Sequence, residues 1–242
     1  MGIKVAVVGA GGRMGQLASR LIEEADDLEV FASIGSKDSL DGIASADVVL
    51  DFTLPQASQL VVDHAVGLGI PTITGTSGWS GERIAALQRL VAKTPGVGVL
   101  VIPNFSVGSV VATRLAAQAA KYFDSIEIIE AHHAGKVDSP SGTAVRTAEL
   151  IGEARSELGP VIAPHADQRA RGQQVASVPI HSLRLQGVAA KQDVVFGGTG
   201  ETLTISHDTF SSSSYEAGIL LALRAVQRTE GVVVGLDSLL DL

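Results

Sequence analysis

Ile3-Lys4-Val5-Ala6-Val7-Val8-Gly9-Ala10-Gly11-Gly12-Arg13-Met14-Gly15 decides the fold of this chain. The first six residues form a short apolar run that ends at a glycine, the pattern of a buried parallel strand. Residues 16–25 follow with Leu17, Leu21 and Ile22 at helical spacing. Strand, glycine turn and helix, in that order, open a dinucleotide-binding unit. Glycines at 9, 12 and 15 spell GxxGxxG, one residue longer than the strict GxGxxG. Gly9 permits the tight turn, Gly12 lets a pyrophosphate approach the backbone, and Gly15 lets the helix pack on the sheet. A glycine turn alone is weak evidence; the flanking strand and helix make this one a nucleotide site rather than a purely structural turn.

Working outward, the second strand spans residues 28–34, and its end should carry an acid for the adenosine ribose. It reads Gly35-Ser36-Lys37-Asp38 instead. Ser36 and Lys37, with Arg13 in the glycine loop, suit a 2′-phosphate, which favours NADPH and leaves NADH open; singly, each cation is an ordinary surface charge. A strand with its exit loop is expected over 46–53 and further strands at 70–74 and 97–102, alternating with helices from Pro55 to residue 68 and from the Ser80 cap to residue 93. That alternation predicts a doubly wound parallel sheet. Ligands bind outside the carboxyl ends of such strands, so the loops at 9–15, 51–53, 75–78 and 102–105 should line one crevice. A helix over 107–123 leads out of this domain. Residues 159–174 read as an exposed loop. Runs at 178–185, 190–196 and 202–208 alternate like antiparallel strands, with a hairpin turn at 197–200. The fold class is therefore α/β: a Rossmann-like doubly wound sheet plus a second α+β domain with a mixed or antiparallel open sheet. Boundaries are set at 1–105 and 106–211, with 212–242 returning to the first domain through a helix over 215–228. An open sheet has a flat face that often packs on a copy of itself, so an oligomer is expected.

Glu130-Ala131-His132-His133-Ala134-Gly135-Lys136-Val137-Asp138-Ser139-Pro140-Ser141-Gly142-Thr143-Ala144 carries the chemistry. A strand over 125–131 precedes it and a helix over 142–158 follows, so it is a strand-to-helix loop, where sites concentrate. Ser141 is a good N-cap. Ala144 stands where a capping box needs Glu or Gln, so the first-turn amides of Gly142, Thr143 and Ala144 are partly free. A helix start with free amides and the Thr143 hydroxyl is a ready anion site. His132, His133 and Lys136 add positive charge and transferable protons. The stretch reads as a carboxylate pocket beside a proton donor; the bland alternative is a capped helix with a solvated lysine. Zinc fits poorly, because adjacent strand residues point to opposite faces and the chain has no cysteine. His165, His181 and His207 have no partner motif. Trp79 reads as a hydrophobic plug.

The 242 residues are 45% apolar and 18% charged, enough for a full core in one large domain or two modest ones. The absence of cysteine excludes disulfides, thiol catalysis and iron–sulfur clusters. A net charge of −8 argues against general nucleic-acid binding. No apolar run is long enough for a bilayer, and no leader pattern precedes the first strand, so a cytoplasmic protein is expected.

The block from Glu130 to Ala144, with Gly9, Gly12, Arg13, Met14 and Gly15, the Gly75-Thr76 loop, Pro103-Asn104-Phe105 and the late strand over 200–205, resembles the 4-hydroxy-tetrahydrodipicolinate reductase (dihydrodipicolinate reductase) family of the diaminopimelate and lysine pathway. The resemblance covers the whole chain. It implies a dinucleotide-binding domain and a mixed α+β domain that builds a homotetramer. It implies NADPH- or NADH-dependent reduction of a cyclic dicarboxylate with loss of water. His132 would be the catalytic proton donor and acceptor, and Lys136 a proton donor. His133 would contact substrate, with Ser141, Gly142 and Thr143 at the helix start binding its carboxylate. Cofactor contacts would fall on Gly9, Ala10, Gly11, Gly12, Arg13, Met14 and Gly15, on Gly75, Thr76 and Ser77, and on Ile102, Pro103, Asn104 and Phe105, with Ser36, Lys37 and Phe52 beside them. No metal is implied. Ser77 stands where threonine is usual and Ser139 where alanine is usual. A nicotinamide-binding redox sensor and an amino-acid dehydrogenase of similar layout are the competing readings; the first has no use for His132 and Lys136 together, and the second would lack their spacing.

Overall fold

The computed structural model describes residues 2–240; residue 1 of the expected first domain and residues 241–242 of the expected return lie outside the described residues. The chain divides into two compact units, one running to Val107 and resuming at Tyr215, the other Gly108–Ser214.

The first unit is built on β1 (Ile3–Val8), α1 (Arg13–Glu24), β2 (Leu28–Ile34), β3 (Val48–Asp51), α2 (Pro55–Gly67), β4 (Thr72–Thr74), α3 (Gly81–Val91) and β5 (Gly98–Val101). After the second unit it is completed by α6 (Glu216–Ala225) and β11 (Gly231–Val234). Its six strands are parallel, in the order β11-β5-β4-β3-β1-β2. Every residue of β3, β4 and β5 is buried, as a sheet covered on both faces requires. Ala6, Val8 and Val49 pack with Val61 and Ala65 of α2, while Val62 and Val66 join Leu87 and Val91 of α3 over Val99 and Val101. Helices α1 and α6 pack on each other. The chain leaves β1 for β2 on one side and then crosses to β3 on the other, so the switch point lies between β1 and β3.

Strand β11 was not expected from the sequence. It pairs with β5, Gly231 opposite Gly98 through Val234 opposite Val101, and extends the sheet by one strand.

The second unit carries α4 (Val107–Ala119), β6 (Ser125–His133), α5 (Gly142–Ala154), β7 (Gln173–Val175), β8 (Val178–Leu185), β9 (Ala190–Gly198) and β10 (Glu201–Thr209). Its sheet has the order β10-β9-β6-β8-β7. The expected run of consecutive antiparallel strands holds only for the β9–β10 hairpin, because β6 sits between β9 and β8, antiparallel to the first and parallel to the second. The expected exposed loop also yields a short edge strand, β7. Ala144, Ala148 and Ile151 of α5 cover Ile126, Ile128, Val178, Ile180, Val194 and Phe196 on the inner face. Helix α5 ends at Ala154, short of the expected 158, because the next residue turns inward: buried Arg155 donates to the carbonyls of Ala120 and Phe123 and pairs with Asp124.

Candidate active site

In the first unit the sequence-predicted cofactor residues gather at the carboxyl ends of the parallel strands. Gly9 has φ +86°, and a Cβ there would lie 2.5 Å from the carbonyl oxygen of Phe52, so the turn after β1 lies directly against the loop after β3. Gly15 is just as confined: a Cβ would lie 2.7 Å from Ala10 Cα and closer still to the Gly9 carbonyl oxygen. Gly12 is the N-cap of α1 with no side-chain cap, and no acid stands in the first turn. Gly11 has open space around it. This is a bare, positively polarised helix start under an accessible glycine turn, which fits a dinucleotide pyrophosphate. Gly75 lies between the rings of Phe52 and Phe105, which meet edge to face with centroids 5.5 Å apart. Ile102, Phe105 and Thr76 are buried, and Asn104 folds onto the Ser106 amide. The exposed residues of the set are Gly11, Gly12, Arg13, Ser36, Lys37, Ser77 and Pro103. Asp38, four residues beyond the end of β2, turns its carboxylate back onto the Gly35 amide at 2.8 Å.

Asp51 is a residue to which the sequence reading gave no role. It is fully buried at the end of β3. Its carboxylate accepts from the Thr53 amide (2.9 Å), the Thr53 hydroxyl (2.6 Å), Thr74 Oγ1 (2.8 Å) and Ser58 Oγ. Trp79 Nε1 donates to the same Ser58 at 3.1 Å, so the expected hydrophobic plug is also a hydrogen-bond donor. These bonds tie the loops after β3 and β4 to the first turn of α2.

In the second unit β6 runs two residues further than expected, so His132 and His133 are the last residues of a strand, not part of a loop. Alternation sends His132 to the inner face with Glu130 and Ile128 and leaves His133 exposed. His132 Nδ1 lies 2.5 Å from Glu130 Oε2. Burial pushes the imidazole below its ordinary pKa, and the Glu130 carboxylate opposes that shift without cancelling it. Lys136 Nζ is paired with Asp138 at 2.7 Å, and this bond holds the Asp138 carboxyl below the usual range. Ser141 caps α5 as expected, accepting from the Ala144 amide at 3.2 Å, so of the three amides expected to be free, that of Ala144 is taken. Ser141 itself is buried, with its own amide on Glu130 Oε1 at 3.2 Å. The amides of Gly142 and Thr143 have no acceptor among the described residues. Glu130 and Arg184, neither given a role at the sequence level, prove to be joined by two 3.0 Å hydrogen bonds. Among the described residues no group of His, Cys, Asp and Glu is placed to hold a metal.

The family model described as dihydrodipicolinate reductase, N-terminus, matches residues 3–105, and that described as dihydrodipicolinate reductase, C-terminus, matches residues 108–240. The 4-hydroxy-tetrahydrodipicolinate reductase of Clavibacter michiganensis is 64% identical over 238 residues, covering 98% of this chain and 86% of that protein. The protein of the same name from Streptomyces griseus is 46% identical over 246 residues, with coverage of 99% and 98%. Among solved structures, dipicolinate-bound dihydrodipicolinate reductase from Paenisporosarcina sp. TG-14 superposes with a TM-score of 0.86 at 30% identity, covering 99% of this chain and 100% of that one. Matched in both halves and by relatives along its whole length, the chain belongs to the dihydrodipicolinate reductase family.

Proposed function

We infer that this protein reduces 4-hydroxy-tetrahydrodipicolinate to tetrahydrodipicolinate, with loss of water, using a reduced pyridine nucleotide, in the synthesis of diaminopimelate and lysine. The observation that carries the reading is the end of β6: an imidazole oriented by a buried carboxylate, beside two unpaired amides at the start of α5. The bound nucleotide supplies a hydride. The bare start of α1 and the glycine turn hold its pyrophosphate, with Gly75, Thr76, Ser77, Phe52 and residues 102–105 shaping the rest of its site. The exposed Ser36 and Lys37, with Arg13, suit a 2′-phosphate and favour NADPH, since Asp38 is committed to the Gly35 amide.

Loss of the hydroxyl together with a ring proton, as water, leaves a conjugated ring; a hydride arriving there puts negative charge on the conjugated neighbour or ring nitrogen, and that charge needs a proton. His132 gives it from Nε2, and the lowered pKa makes the imidazolium a readier acid near neutrality. Lys136 stabilises the developing charge and relays a proton. The amides of Gly142 and Thr143 grip one carboxylate and His133 meets the substrate at the strand end, fixing the ring for attack. The reading includes a cytoplasmic location and a homotetramer; Ile129, Leu183 and Leu185 share the exposed face of the second sheet, an apolar strip that a second copy would cover.

Purified His132→Ala, assayed by loss of nucleotide absorbance with coupled substrate synthesis, should lose ~10²–10⁴ in turnover. Near-normal turnover rejects the assignment, and running the assay with both nucleotides reads the cofactor preference.

A further inference from the structure

Glu130 is wholly buried on the inner face of β6, and both of its oxygens are in use. Oε2 faces His132 Nδ1 at 2.5 Å and accepts from one terminal nitrogen of Arg184 at 3.0 Å. Oε1 accepts from the other terminal nitrogen at 3.0 Å and from the Ser141 amide at 3.2 Å. Arg184 stands opposite His132 in the parallel β6–β8 register. The same guanidinium donates to the carbonyls of Leu183 at 2.7 Å and Asp138 at 2.6 Å. One side chain therefore joins the strand carrying the proton donor, its neighbour, and the loop before α5.

We propose that Glu130 is the positioning residue of His132 and Arg184 its clamp, together holding the imidazole with its Nδ1 proton on Glu130 and Nε2 left to carry the acid proton. This rests on the reading of His132 as the proton donor. An ionised carboxylate only accepts, so Nδ1 must be the donor and the other ring nitrogen is left for exchange with substrate. A buried carboxylate needs a charged partner, and a planar fork meeting both oxygens is the strongest one available. Burial pushes the Glu130 carboxyl up, but hydrogen bonds from Arg184, Ser182 and His132 outweigh it and hold it below the ordinary range. The charged groups facing His132 are Glu130 on its own strand, Arg184 on β8 and Lys136 in the following loop. Strand β9 places Ala190 opposite it, and the first turn of α5 brings no acid. Glu130 raises the imidazole pKa, whereas Lys136 and Arg184 lower it. Losing the Glu130 charge must therefore lower it further.

The experiment is nitrogen-15 NMR of the histidine side chains in the full-length protein, with His132→Asn used to assign the signal. At about pH 8, above the ordinary imidazole range, the wild-type His132 should be the Nδ1–H tautomer. Glu130→Gln should move its titration to lower pH. The alkaline limb of kcat should move with it, with kcat reduced ~10²-fold while KM changes little. Arg184→Met leaves Glu130 free to take a proton, and the tautomer should shift toward Nε2–H. A wild-type spectrum dominated by Nε2–H overturns the proposal. So does a Glu130→Gln protein whose rate falls by the same factor at every pH with the His132 titration unmoved, since a merely structural role would do that. If Glu130→Gln fails to fold, the wild-type tautomer decides alone. Near-normal turnover in His132→Asn would instead remove the proton-donor reading and leave the tautomer result standing.

Discussion

Gly15→Ala tests whether the glycine turn is built for close approach. The added methyl would lie 2.7 Å from Ala10 Cα, 2.9 Å from the Gly9 carbonyl carbon, and nearer still to the Gly9 oxygen. All three are backbone atoms, so none can rotate away. Restoring ordinary contact at Ala10 alone requires the start of α1 to retreat by about 0.7 Å. Overpacking of this kind costs about 1–3 kcal/mol. Alanine is also the better helix former, by about 1 kcal/mol, which offsets part of that cost but does not reverse its sign where three fixed atoms collide. At this chain length each kcal/mol is worth about 2–4 °C, so the melting temperature should fall by several degrees. Gly11→Ala is the control, since nothing lies within 4 Å of its Cβ position, and its stability should stay within about 0.5 kcal/mol of the parent. Scanning calorimetry reads the difference, and titration with reduced nucleotide should show weaker binding in Gly15→Ala because the amides proposed to meet the pyrophosphate have moved. A Gly15→Ala protein that melts with the Gly11→Ala control and binds nucleotide as the parent does would refute the packing argument.

Two further perturbations follow from the buried carboxylates. Asp51→Asn keeps an acceptor for Thr53 but replaces the oxygen serving Ser58 and Thr74 with a donor; it should cost about 1–3 kcal/mol, read as a lower urea midpoint at unchanged slope, and an unmoved midpoint would show that Asp51 does not tie these loops. Stability should also fall on the acid side, with the sign set by depressed groups, of which Glu130, Asp138 and His132 stand at the candidate site. Glu130 and Asp138 are held below ordinary values of 4.5 and 3.8, so their contribution is complete above those values and disappears as pH drops through the depressed ones. His132 is depressed below 6.5, so the unfolded chain takes up a proton that the folded one refuses, and stability begins to fall once pH drops below 6.5. His132→Asn should flatten that upper part of the decline in urea titrations at successive pH values; parallel curves for parent and variant would defeat the buried-imidazole account.

The first unit was legible because its signals are local. The run Ile3–Val8, the glycines after it and the spacing of Leu17, Leu21 and Ile22 are each decided within a few residues. Strand β11 escaped although Gly231 and Gly235 bracket three valines, because a four-residue run has too little length to show a period and its reason for being a strand is β5, far back in the sequence. The end of α5 escaped for a related reason. No glycine or proline interrupts residues 154–158, and the helix stops where Arg155 finds carbonyls in the stretch after α4.

The same distinction explains what was missed at the site. The spacing of His132, Lys136 and Ser141 names the residues proposed to act on the substrate, because they stand within one strand, one loop and one helix start. It also placed Glu130 two residues from His132, but alternation alone says only that the two share a face, not that a carboxylate buried there is sustained. What sustains it is Arg184, 54 residues away, brought opposite His132 only because β8 pairs in parallel with β6. An antiparallel neighbour, which the alternating runs suggested, would have set a different register and given the arginine no privileged place. The sequence pattern therefore exposes the proposed acid and anion site, while the charge that sustains Glu130 beside His132 depends on a strand order that local periodicity does not encode.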